Sequence, residues 1–210
     1  MDATLYNGYW ITIDTYLSQA HREDNARLVW DHLKNLGWTL NAVAGMLGNF
    51  DVESSINPAL IENRNYHTLI TNAECLVIPD TLGVGMAQWT GNTPTPPAGQ
   101  KLASFAIRRG MNWYDGELQC MRWEAEYTDD LQFDHLTVDG VQWDWNSYVI
   151  STETPEQLAK VWQRCYERGG TDTATRQAKA RYYYKMLKKK AWLWYITLQR
   201  KDVKRSCRTI

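Results

Sequence analysis

The stretch Gly45-Met46-Leu47-Gly48-Asn49-Phe50-Asp51-Val52-Glu53-Ser54-Ser55-Ile56-Asn57-Pro58 decides how this chain is read. Val43, Met46, Leu47 and Phe50 recur at helical spacing and make one apolar stripe. Glu53 falls seven residues after Met46 and three after Phe50, which puts it on the same stripe in the helix's last turn. Asn57-Pro58 closes the segment, because proline offers no N–H and disfavours helical geometry in the residue before it. A carboxylate on a buried helix face is costly unless it is partnered or protonated. Burial raises its pKa, which makes Glu53 a candidate general acid. The plainer alternative is a satisfied glutamate at the helix boundary.

Residues 57–81 are polar and interrupted, and Leu82-Gly83-Val84-Gly85-Met86-Ala87-Gln88-Trp89-Thr90 then reads as a short strand or hairpin. A helix ending Gly-Asn-x-x-x-Glu-Ser, followed by Gly-x-Gly-x-x-Gln-Trp, resembles the phage tail lysozyme family, which is related to goose-type lysozymes and soluble lytic transglycosylases. The likeness runs from about Asp24 to about Leu187 and takes in Leu36-Gly37-Trp38-Thr39, Glu117-Leu118 and Tyr166-Glu167-Arg168. It implies an α+β, mostly helical, lysozyme-like fold with a small β element facing the glutamate helix. It also implies a virion protein of the tail tip or knob that cleaves the MurNAc–GlcNAc bond and opens the wall locally for genome delivery. Its substrate would be peptidoglycan glycan strands. A lytic transglycosylase, a non-catalytic wall-binding or tail structural module, and an endolysin acting at lysis are the competing readings.

The resemblance places the family's catalytic glutamate at Glu53 and its cleft-side glutamine at Gln88, with Tyr166 and Glu167 in a late cleft-lining element. Ser54 is a candidate to bond the carboxylate or the substrate, its alternative being a local bond to the helix's last carbonyls. Gly83 and Gly85 lack a Cβ, so they either admit the glycan close to the backbone or serve turn geometry. Trp89 is the indole placed at a groove, since flat apolar rings suit sugar stacking. Glu117 reads as structural. Hydrolysis normally uses two carboxylates, and the second is not evident. Asp51 points elsewhere on the helix, whereas Asp80, Glu62 and Glu74 lie in the loop entering the strand. Asp80 is the possible second acid. A single acid would suit a transglycosylase.

The remainder bounds these readings. Two hundred and ten residues fit an N-terminal arm (1–17), a lysozyme-like catalytic domain (18–190) and a C-terminal tail (191–210). Four dispersed cysteines and four histidines without ligand spacing point to no metal, no other cofactor and no disulfide framework. The start carries no secretory pattern, and the apolar run Ala191–Ile196 is far short of the roughly 20 residues a membrane span needs. A net charge of −1 hides an asymmetry: from Lys179 onward there are eleven Lys or Arg and one acid, Asp202. That basic, aromatic end suggests docking onto other tail proteins, and it lacks any nucleic-acid-binding motif.

Helix signals frame the domain. Ser18 is a cap for a helix to about Leu36, with Ala26, Val29, Trp30, Leu33 and Leu36 inward and Gly37 as the stop. Thr39 caps the Glu53 helix, and Gly45 and Gly48 within it suggest close approach by other elements. Further helices are predicted at about 99–110, 115–132, 143–151, 155–168 and 173–190. The fourth of these starts at Thr154-Pro155-Glu156, a cap followed by proline at the first position.

Overall fold

In the computed structural model, residues 9–13, 15–62, 69–90 and 101–206 are described, with side chains through 189. The helix α2 (Leu40–Ser54) forms the axis of the fold, and every residue from Ala42 to Asp51 is buried. Thr39 caps it as expected, its hydroxyl accepting from the Ala42 N–H at 3.1 Å. An apolar helix of this kind needs neighbours all round. They are α1 (Gln19–Leu33), α7 (Pro155–Trp162) and α8 (Thr173–Ser206).

The two glycines of α2 set how close those neighbours come. A Cβ on Gly45 would lie 2.8 Å from the Leu158 backbone of α7, and one on Gly48 would lie 2.5 Å from the Arg176 carbonyl oxygen of α8. Buried Asn49 ties the three together: its amide donates to Gly45 and Ala159, both at 3.0 Å, and its Oδ1 accepts from Arg176 Nη1 at 2.9 Å.

The remaining elements wrap this bundle. They are α3 (Asn72–Leu76), α4 (Leu102–Arg109), α5 (Gly116–Thr128), the β1 and β2 pair (Thr137–Val138 and Val141–Gln142) and α6 (Trp145–Val149). An aromatic cluster fills the centre, with Phe50 stacked on Trp123 at 4.8 Å and Trp162 stacked on Tyr166 at 4.2 Å.

The architecture is the mostly helical α+β arrangement expected, with three local features of its own. First, α2 ends at Ser54, before the Asn57-Pro58 stop, because Ser55 and Ile56 both take left-handed φ (54° and 55°). That geometry is costly for a β-branched residue. It is held by Leu17 N–H donating to Ser55 Oγ at 2.8 Å and by Asn25 Nδ2 donating to the Ile56 carbonyl at 2.9 Å. Second, Leu82–Thr90 takes the hairpin form of the two that were expected, as a tight reversal without a named strand. Val84 bridges both Ile61 and Trp89, and Gly85 (φ 79°) and Gln88 (φ 49°) turn the chain. Its Met86 carbonyl lies 2.8 Å from Ser54 Oγ, which fixes the reversal against the end of α2. The only named strand pair among the described residues is instead the exposed hairpin at 137–142, turned by Asp139-Gly140 at positive φ.

Third, α8 runs without a break across the tail boundary expected near Lys190 and continues to Ser206. Residues 9–13 of the N-terminal arm form no regular element and join the core through asparagines. Asn25 exchanges bonds with Ile11, and Asn57 Nδ2 donates to the Ile13 and Thr15 carbonyls, both at 2.6 Å. Cys75, Cys120 and Cys165 are buried free thiols; Cys207 lies outside the described residues. None of the described helices is long and apolar enough to cross a membrane.

Candidate active site

The end of α2 opens into a cleft of about 440 Å³ lined by Tyr16, Glu53, Glu62, Gln88, Glu167, Gly169 and Gly170. Five separate segments converge there: the arm, the end of α2, the strand-like Ile61–Glu62, the 85–88 reversal and the turn after α7.

Glu53 is not the buried stripe residue that the spacing suggested. Its side chain keeps 28% of its exposure and faces the cleft. Because α2 stops one residue later, the last turn presents Glu53 outward, and the buried carboxylate of this helix is Asp51. Asp51 is enclosed by Arg22 (2.8 Å), Lys179 (3.0 Å) and the Tyr183 hydroxyl. Among the described residues Glu53 has one cationic partner, Arg176, whose Nη2 donates to Oε1. Arg176 is itself buried and fixed on its other side, with Nε donating to Asp172 Oδ1 at 2.8 Å and Nη1 to Asn49.

Glu167 reaches the cleft from a π-helical turn, Gln163–Glu167, that widens the end of α7. Wide turns of this kind re-aim side chains and occur often at functional sites. Gln163 braces the turn by donating to the Gly170 carbonyl at 3.0 Å while accepting from the Thr173 hydroxyl at 2.6 Å. The Trp162 indole N–H donates to Glu167 Oε1 at 3.0 Å. Desolvation, reinforced by the Glu53 charge, pushes the Glu167 carboxyl up to about 8. The carboxyl raised by burial is therefore Glu167.

Glu62 is the third acid on the cleft; its Oε2 accepts from the Gly83 N–H at 3.0 Å. Gln88 lines the cleft as expected, although its amide donates inward to the Gly85 carbonyl at 2.7 Å. Tyr16, which the sequence reading did not single out, adds an exposed ring.

Several expected site residues lie elsewhere. Asp80 is paired with Lys101 at 2.7 Å and borders a different, small cavity, so it is not opposite Glu53. Glu74 caps α3 through Thr71. Ser54 is fully buried, its hydroxyl 3.0 Å from the Phe50 carbonyl and 2.8 Å from that of Met86, which is a structural role. Gly85 is buried too. Its left-handed φ and the Gln119 amide, 2.8 Å from where a Cβ would sit, account for the glycine without a glycan.

Trp89 is a core residue and not a groove residue. Its indole N–H is used by Glu126 Oε1 (3.0 Å) and lies 2.9 Å from the Tyr166 hydroxyl. Tyr166 is likewise buried, and its hydroxyl donates to Glu126 Oε2 at 2.6 Å. With Arg122 Nε on Oε1 at 2.9 Å, these groups enclose Glu126 completely. Burial raises the Glu126 pKa, and Arg122, Tyr166 and Trp89 oppose the shift without cancelling it. The sequence reading named neither Glu126 nor Arg176. Their functional partners lie far along the chain, and the i,i+4 spacings Arg122–Glu126 and Asp172–Arg176 were the local signals.

Comparison of the sequence with known proteins points to a family. The chain is 28% identical over 178 residues to morphogenesis protein 1 of Bacillus phage B103, an alignment covering 83% of this chain and 42% of that protein. The chain thus spans less than half the length of that relative. The family model for phage tail lysozymes matches residues 24–187, which include α2, the 85–88 reversal, the π-helical turn and the first part of α8. The chain belongs to the phage tail lysozyme family.

Proposed function

We propose that this protein cleaves the glycan strands of peptidoglycan between MurNAc and GlcNAc, with Glu53 as the group that protonates the glycosidic oxygen. The observation that carries this reading is the meeting of Glu53 and Glu167 on one open cleft. Glycosidic cleavage needs a proton at the leaving oxygen and negative charge near an oxocarbenium-like centre, which two carboxyl groups supply. Arg176 fixes Glu53 through Oε1, which leaves Oε2 to face the sugar. Gln88 and Tyr16 offer an amide and an exposed ring for the flanking sugars.

A carboxyl partner for Glu53 supports hydrolysis over transglycosylation, in which the substrate's own hydroxyl takes the place of water. Membership of the phage tail lysozyme family and likeness to a phage morphogenesis protein support a role on the virion tail, opening the host wall locally for genome delivery. Mass analysis of fragments released from purified peptidoglycan tests the chemistry. Reducing MurNAc ends are expected. Predominant 1,6-anhydroMurNAc ends would replace hydrolysis by transglycosylation, and binding without release would make the protein a wall-binding module.

A further inference from the structure

A second open groove, of about 420 Å³, shares no lining residue with the Glu53 cleft. It lies where the end of α5 meets the start of α6 and the loop 129–135. Trp145, only 1% exposed, borders it from the core, its indole N–H donating to the Leu131 carbonyl at 2.7 Å. Tyr127 adds a half-buried ring, and its hydroxyl donates to Asn146 Oδ1 at 2.9 Å. That bond occupies the amide oxygen of exposed Asn146 and, among the described residues, leaves its Nδ2 without an acceptor. Asp130 Oδ1 lies 3.0 Å from His135 Nε2, and among the described residues its Oδ2 makes no hydrogen bond. Asp144 receives the Ser147 N–H and hydroxyl, both at 2.7 Å, which hold its carboxyl below the usual range and so charged.

The wall of this groove is preformed. Asp130 and Gln132 hold left-handed φ (51° and 67°), a geometry that must be fixed by its surroundings. Arg168 fixes it. Its Nε and Nη2 grip the two Asp134 oxygens at 2.8 and 3.0 Å, and Nη2 also donates to the Gln132 carbonyl at 2.9 Å. The Asp134 N–H donates in turn to the Cys165 carbonyl at 2.7 Å. Arg168 follows Glu167 directly, so one clamp ties the groove's loop to the turn that borders the cleft. A site ordered beforehand gives up less entropy when it binds.

The chemistry of the groove selects its ligand. An aromatic ring, an amide donor and carboxylate acceptors suit a molecule rich in hydroxyl and amide groups with a flat apolar face. Two carboxylates oppose an anionic chain such as a polyphosphate or nucleic acid. Both are already engaged, by His135 and by Ser147, which favours a neutral ligand over a cation. We infer that this groove is a second glycan site, binding an uncharged segment of N-acetylated amino sugars through Tyr127, Asp130 and Asn146. A polymer held at a second point meets the cleft at a raised effective concentration. The inference goes beyond the cleft reaction, because binding here requires no turnover.

Titration of the full chain with the uncharged GlcNAc trimer, followed by ¹H–¹⁵N NMR, tests the site. Shifts are expected at Tyr127, His135 and Asn146, with the Asn146 side-chain amide among them. Asn146→Ala changes an exposed residue and removes the amide donor, so it should weaken this binding by about 10-fold while the response of Gln88 in the cleft is unchanged. A trimer that shifts cleft residues alone, or that binds the groove equally well in Asn146→Ala, overturns the inference. So does a groove that answers to a glycerol phosphate oligomer and not to the sugar. Groove shifts in a protein that releases no glycan would keep this site and remove the reaction assigned to the cleft. Glycan release with a silent groove would keep the reaction and remove this site.

Discussion

Two carboxylate sites draw on the Trp162–Glu167 segment, and they are finished differently. Glu126 is fully buried and bonded by Arg122, Trp89 and Tyr166, so both of its oxygens are used. Glu53 and Glu167 border an open cleft with one donor each among the described residues. Buried polar groups are costly when unmet and stabilising when fully met. The closed site therefore holds the fold together: it joins α5, the 85–88 reversal and the turn after α7. The open site retains unmet carboxyl oxygens for a ligand. Closure by protein donors, and not burial alone, separates a carboxylate built into the fold from one left open to a ligand.

The largest effect expected of breaking this contrast is at the closed site. Glu126→Gln takes the carboxylate out of a buried ion pair with Arg122, a change that typically costs about 3–5 kcal/mol. Thermal unfolding of the variant should show a large drop in Tm. A variant as stable as wild type would show that the network is not what joins these elements. Gly48→Ala comes next. Its Cβ would meet backbone of α8, not a movable side chain, so about 1–3 kcal/mol is expected by denaturant titration. Arg176 sits at that contact, so turnover should fall as well.

A smaller effect comes from pH. Glu167 has a folded-state pKa raised to about 8, so the native protein binds a proton that the unfolded chain has given up. Stability from this group is present at low pH and is lost as pH rises from the ordinary carboxylate range through about 8. Glu167→Gln should flatten that slope in unfolding measured between pH 5 and 9. A steeper slope would contradict the assignment. Asp80→Asn should be the mildest change: its partner is Lys101 at an exposed site, and surface pairs contribute little. Turnover should be unchanged, and a large loss would return Asp80 to the reaction.

What the sequence made legible was local. Ser18, Thr39 and Thr154 cap helices because capping is a matter of three residues, and all three accept the expected N–H. Gly45 and Gly48 marked close packing for the same reason. The stripe containing Glu53 located the right helix end but not the orientation of its last turn. That orientation depends on the left-handed Ser55-Ile56 pair, held by Leu17 and Asn25 from distant parts of the chain. Asp80 and Glu62 looked alike in one polar loop, and only the Ile61–Val84 bridge distinguishes them by carrying Glu62 to the cleft. Trp89 and Tyr166 looked like cleft residues because they adjoin Gln88 and Glu167, yet both turn inward to Glu126. The Asp139-Gly140 hairpin had a readable turn signal, but its strands are two residues each and gave no alternation to read.

In the proposed function, the open carboxyl pair breaks glycan. Release of new reducing ends from purified peptidoglycan, compared between wild type and Glu53→Gln at a temperature where both are folded, tests it most directly. The amide is nearly isosteric and cannot donate a proton, so the variant should fall by about 10²–10⁴-fold while its Tm and wall binding hold. Equal release by the two proteins would contradict the claim.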